Sequence, residues 1–127
     1  MNRWSAIALV FFLALSQPIA RSESLVQKAS SFAKLRANPY TGHEAARQAG
    51  RKLFHRECSG CHGDNGQGNG RRRTPPLATL DVKDADPGTL FWILRNGSAS
   101  HAMPSFSQLP EQQRWQIITY LQSLSTQ

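Results

Sequence analysis

At 127 residues the chain holds at most one domain of ordinary size, and 39% hydrophobic with 9% aromatic content gives that domain a modest core. Fifteen Lys and Arg against eight Asp and Glu give a net +7, yet charged residues are only 18% of the total, which excludes charge-driven disorder, collagen-like repeats, coiled coils and multidomain enzymes. The two cysteines, Cys58 and Cys61, exclude a scaffold of several disulfides, so a chain this small calls for another staple.

Arg3 precedes the uncharged apolar run Ala6 to Leu15, and Ala20-Arg21-Ser22 offers small residues two apart, the layout of a secretory signal peptide. Residues 1–22 are therefore expected to be a signal peptide, with the mature protein exported to the periplasm. An uncleaved membrane anchor is the alternative, because Trp4 to Ala20 falls just short of the ~20 residues that span a bilayer. Without that segment the chain is +5. For an exported protein such a charge points to an acidic partner or a membrane surface, and not to nucleic acid. Residues 23–43 form an N-terminal extension. In it Leu25, Ala29, Phe32 and Ala33 fall at helical spacing before Asn38-Pro39, so it is a short amphipathic helix or a tether.

The domain proper is expected over residues 44–127. Glu44 to Glu57 has no proline, follows Thr41-Gly42 and starts on an acid that suits a helix N-terminus. Ala46, Gly50, Leu53, Phe54 and Cys58 share one face, while Arg47, Arg51, Arg56 and His55 point elsewhere. Glycine inside a helix costs about 1 kcal/mol relative to alanine, so Gly50 asks for a packing reason. The helix leads into Cys58-Ser59-Gly60-Cys61-His62. Two cysteines on one turn can form thioether bonds to the two vinyl groups of a haem, and the adjoining histidine delivers an imidazole to the iron. Rival chemistries are weaker. A thioredoxin-like pair wants a strand before it. Zinc wants a fourth ligand such as His55 or His101, and a disulfide here closes too small a loop to matter.

The glycine run Gly63 to Gly70 lacks the Gly-Lys-Ser/Thr and the preceding strand of a phosphate loop, and reads as a flexible turn. Arg71, Arg72 and Arg73 are a solvated surface or a contact for propionates or an acidic partner. A middle helix follows, with Asp86 as N-cap, Pro87 at its first position, Leu90 to Leu94 apolar and Gly97 as a left-handed stop. Met103, in a Gly/Ser-rich loop and followed by proline, has no helical face to fill and is the candidate sixth ligand; His101 is the competitor. A soft thioether favours ferrous iron and a high reduction potential, whereas two histidines give a lower one. The last helix starts at Pro110-Glu111 and carries Ile117, Tyr120, Leu121 and Leu124 on one face, flanked by Trp115 and Ile118.

Taken together, Gly50-x-x-Leu53-Phe54-x-x-x-Cys58-x-x-Cys61-His62-Gly63, Pro75-x-Leu77, Leu90-Phe91-Trp92-x-x-x-Asn96-Gly97, Met103-Pro104 and Tyr120-Leu121 resemble a class I c-type cytochrome domain. Asn38-Pro39-Tyr40, Met-Pro-Ser-Phe and Leu-Pro-x-x-x-Arg-Trp are similar to small periplasmic cytochromes associated with quinoprotein and other dehydrogenases. The resemblance implies an all-α cytochrome c fold, in which N- and C-terminal helices cross at Gly50 and Tyr120 and a middle helix and loops enclose one covalent haem c. It implies haem contacts from Pro75 and Leu77, with the Pro75 or Pro76 carbonyl accepting from His62. It further implies an electron carrier, not an enzyme, working between redox partners such as a dehydrogenase and a terminal oxidase. Alternatives are a tightly bound haem subunit of a dehydrogenase complex, or an open-site catalytic or sensor haem protein in which Met103 is loop filler.

Overall fold

The computed structural model describes residues 36–70 and 74–124. The signal segment, Leu25 to Ala33 of the extension, and Arg71 to Arg73 lie outside the described residues. Five α-helices follow in chain order: α1 (Glu44–Glu57), α2 (Ser59–His62), α3 (Leu80–Lys83), α4 (Pro87–Asn96) and α5 (Glu111–Leu121), with a 3-10 turn at Ala99–His101 before α5. The described part is helical, with an isolated bridge between Ser98 and Met103 as its extended pairing.

The centre is the crossing of α1 and α5, the most extensive helix pairing in the domain. On α1 the buried residues are Ala46, Gly50, Leu53 and Phe54, the three-and-four stripe of an amphipathic helix. Glu44 in its first turn and His55 and Arg56 in its last complement the helix dipole. The N-cap is His43, which makes no side-chain capping bond; Glu44 instead accepts from Arg47 Nε and Gln48 Nε2 at 2.8 and 2.9 Å. A Cβ built on Gly50 would stand 1.9 Å from the Gln116 carbonyl oxygen and 3.0 Å from Tyr120 Cβ. Gly50 therefore lets the two backbones touch, and the closest partner is the Gln116 peptide, with Tyr120 beside it. Phe54 and Tyr120 pack with ring centroids 5.3 Å apart.

α5 is buried on most sides, at Arg114, Trp115 and Ile117 to Leu121, because α4 covers the flank that α1 leaves open. Phe91 of α4 stacks on Trp115 at 4.3 Å, a geometry favourable for aromatic pairs beyond their buried area. Asp86 caps α4, its carboxylate accepting from the Thr89 amide at 2.9 Å, and Pro87 opens the helix. The turn ahead of α1 is tied to the same centre: buried Asn38 donates to Thr119 Oγ1 at 2.9 Å, and Arg36 pairs with Glu111 while lying 4.6 Å over the Phe91 ring.

Candidate functional site

The Cys58–His62 segment does not continue α1. Cys58 breaks the helix at φ −120° and ψ −35°, and α2 is a separate turn in which Cys61 and His62 both donate to the Cys58 carbonyl, at 3.1 and 3.0 Å. Cys58 is half-buried against the core, Cys61 is exposed, and both are free thiols. Burial, followed by the neighbouring charges of Glu57 and Cys61, pushes the Cys58 thiol up to about 12. A redox-active cysteine pair needs the opposite, a thiolate formed near neutral pH.

His62 Nδ1 lies 3.0 Å from the carbonyl oxygen of Pro75. A carbonyl can only accept, so Nδ1 is the donor, and in the neutral imidazole this leaves the lone pair on Nε2, the tautomer in which an imidazole ligates a metal. The glycine-rich turn brings this about. Gly68 donates its amide to the His62 carbonyl at 2.7 Å, and the Gly66 carbonyl receives the Leu77 and Ala78 amides at 2.6 and 3.0 Å. These bonds fix the returning chain so that Pro75, and not Pro76, presents its carbonyl to His62. Leu77 is half-buried against the core.

Met103 is likewise half-buried against the core. Its backbone pairs with Ser98 in both directions, at 2.9 and 3.0 Å, closing a tight loop over the Ala99–His101 turn with Ala102 in the left-handed region at φ +55°. Gly97 enters this loop at φ +66° and ψ −164°. The expected left-handed helix stop is corrected: Gly97 occupies an extended positive-φ region open essentially to glycine alone. The reason is crowding, since a Cβ there would stand 2.6 Å from the Met103 carbonyl oxygen and the Pro104 carbonyl carbon. His101 is exposed, its Nδ1 held 2.9 Å from both Ser98 Oγ and Ser100 Oγ. After Met103 the chain is fastened to the end of α4, with Phe106 N donating to Leu94 O at 2.9 Å and Ser105 Oγ to Arg95 O at 2.6 Å.

The donor set fits a covalently held haem: two free thiols and an imidazole with an available Nε2 on one turn, with Leu77 and Met103 packed on the same apolar core. Among the described residues no three His, Cys, Asp or Glu side chains gather as ligands for a bare metal ion. No described helix is long and apolar enough to cross a membrane. Two supporting residues lie within Asn38-Pro39-Tyr40 and Leu-Pro-x-x-x-Arg-Trp, motifs that do not by themselves show what either residue holds. Asn38 contacts its partner across 81 positions and carries no local signal. Arg114 does carry one, since Arg114, Ile117, Ile118 and Leu121 repeat at three-and-four spacing and place the arginine on a buried stripe.

No curated protein gives a match. Among solved structures the chain is similar to cytochrome cL from the marine methylotrophic bacterium Methylophaga aminisulfidivorans, at TM-score 0.60 and 24% identity over 89% of this chain and 74% of that one. Cytochrome cL from Hyphomicrobium denitrificans is similar at TM-score 0.58 and 20% identity, over 85% and 63% of the two chains. The c-type cytochrome XoxG from Methylobacterium extorquens AM1 is similar at TM-score 0.54 and 23% identity, over 64% and 51%. At these identities the likeness is one of fold, and that fold is the cytochrome c fold. Residues 45–121 match the family described as cytochrome C oxidase, cbb3-type, subunit III. That span takes in the crossing helices, the Cys58–His62 turn and the Met103 loop, and the chain belongs to this family of class I c-type cytochromes.

Proposed function

We propose that the chain is an exported one-electron carrier with a single haem c, attached through Cys58 and Cys61 and ligated by His62 and Met103. The observation that carries this reading is the His62 ring held at Nδ1 by the Pro75 carbonyl, 3.0 Å away, on the same turn as both cysteines. A haem in this position supplies reversible one-electron chemistry at its iron. The chain's residues do the rest. The Pro75 carbonyl fixes the imidazole's orientation and raises its basicity as a ligand. Met103, set by its Ser98 pairing, offers a neutral, soft sulfur that favours the ferrous state. Leu77 and the aromatic core beside it exclude water, and the short tethers on both sides of Met103 keep rearrangement small during transfer.

The exposed position of His101 and the half-buried one of Met103 favour the thioether as sixth ligand. Export to the periplasm rests on the signal-peptide layout of residues 1–22, and a dehydrogenase as electron donor rests on the resemblance of the Met-Pro-Ser-Phe and Leu-Pro-x-x-x-Arg-Trp segments to dehydrogenase-associated cytochromes. The family's own description, an oxidase subunit, favours a second reading in which the chain is a tightly bound haem subunit. The optical spectrum tests the ligation: the native ferric protein is expected to be low-spin with the weak iron–thioether band, absent in Met103→Ala and retained in His101→Ala. Capture from periplasm with the tagged protein separates carrier from subunit, because a carrier retains no stoichiometric partner yet is reduced when a periplasmic dehydrogenase fraction is added back, whereas a subunit co-purifies stoichiometrically.

A further inference from the structure

We propose that Arg114 is a positioning residue for Met103: its buried guanidinium fastens the chain segment that follows Met103-Pro104 and so keeps the thioether at the haem iron. This rests on the His/Met reading above. Arg114 is 7% exposed, the one charged side chain buried among the described residues. It forms no ion pair in the interior. Its Nη1 nitrogen instead shares its two hydrogens among the backbone carbonyls of Phe106, Ser107 and Leu109, at 3.3, 3.0 and 2.5 Å, and its guanidinium carbon stands 4.8 Å from the Phe91 ring centroid. Three peptide oxygens converging on one point repel one another unless a cation sits between them, and hydrogen bonds from a charged donor are about twice as strong as neutral ones. The turn at residues 106–109 is therefore shaped by Arg114.

That turn is the downstream anchor of Met103. Upstream, Met103 is paired with Ser98; downstream, only Pro104 and Ser105 separate it from Phe106, whose amide is bonded to Leu94 O. Pro104 is stiff in φ, so a shift of the Phe106–Leu109 turn passes to Met103 with little slack. An arginine at this point costs desolvation, which the nearby charge of Glu111 offsets in part and the like charges of Arg95 and Arg36 deepen. A well-packed apolar residue would serve a purely structural helix face as well. Charge retained on the buried stripe of α5 is accounted for by the carbonyls it gathers.

The test uses purified ferric holoprotein and imidazole as a competitor for the sixth position, followed by loss of the iron–thioether band. Imidazole binds when Met103 swings away, so its apparent affinity reports how firmly the loop is held. Arg114→Met is expected to bind imidazole at least about tenfold more tightly, the equivalent of one charge-assisted hydrogen bond lost from the closed loop. Arg114→Lys, which keeps the charge with a less extended donor set, should fall between it and the wild type. Denaturant unfolding is measured alongside. A lowered unfolding midpoint with imidazole affinity within twofold of wild type overturns the proposal, because it shows Arg114 acting on global stability alone. Where Arg114→Met yields no holoprotein, Arg114→Lys carries the test, and an unchanged imidazole affinity in it overturns the proposal equally. Failure of the ligation reading looks different: the wild type then lacks the band, or keeps it in Met103→Ala.

Discussion

Replacing Gly50 with alanine adds one methyl group at the tightest point of the fold. The new Cβ would lie 1.9 Å from the Gln116 carbonyl oxygen, 1.1 Å short of the 3.0 Å below which such contacts are essentially never found. The obstacle is backbone on both sides, so no rotamer change relieves it and α1 and α5 must part by about that amount. A gap of ~0.5–1 Å forfeits a quarter to a half of the attraction at each contact, and a buried side chain of leucine size makes ~40–60 contacts of ~0.1–0.2 kcal/mol. Phe54, Ile117 and Tyr120 all pack at this crossing. Even after neighbours relax, a loss of about 4 kcal/mol is expected, offset by the ~1 kcal/mol that alanine gains in helix propensity. The net of about 3 kcal/mol corresponds to a fall in Tm of roughly 12–24 °C for a domain this size. Denaturant unfolding of the holoprotein, followed by tryptophan fluorescence and circular dichroism together, measures it. A Gly50→Ala protein as stable as wild type, or about 1 kcal/mol more stable as propensity alone dictates, would refute the close-crossing account.

Three further outcomes follow from the same structure. The double variant Cys58→Ala/Cys61→Ala is expected to lose most of its helical circular dichroism, because a small core without its covalent cofactor buries too little apolar surface; cooperative unfolding of the double variant would contradict this. Asn38→Ala removes the bond to Thr119 Oγ1 and the one that Asn38 Oδ1 accepts from the Tyr40 amide, both 2.9 Å, and should cost about 1–3 kcal/mol in denaturant unfolding. Glu111 is held below the ordinary carboxylate value first by the hydrogen bond from Trp115 Nε1 and then by Arg36. A depressed folded pKa contributes stability above the unfolded value of 4.5 and loses it as pH falls through the folded one. Glu111→Gln should therefore be slightly less stable than wild type at neutral pH, and the two should converge below that value; a difference that grows on acidification would reverse the sign.

Much of the fold was legible because its signals are local. The bounds of α1 follow from a proline-free run with an acid at its start, and those of α4 from an Asp-Pro opening and a glycine stop. The Cys58-x-x-Cys61-His62 spacing is legible for a chemical reason, since attachment and ligation demand those residues within one turn. What stayed hidden depends on partners far away in sequence. Nothing local shows that Gly66 fixes the Pro75 register, that Ser98 pairs with Met103, or that the carbonyl of Gln116 is what fills the space at Gly50. Gly97 departs from the usual left-handed helix stop because such stops belong to free helix ends, and this one is pressed against Pro104.

Whether His62 and Met103 build a closed one-electron haem site is decided by an optical potentiometric titration of the purified holoprotein under CO. The expected result is one haem per chain, a single one-electron transition, low-spin spectra in both states and no CO adduct. A high-spin ferrous form that binds CO readily would contradict it and make Met103 a loop residue.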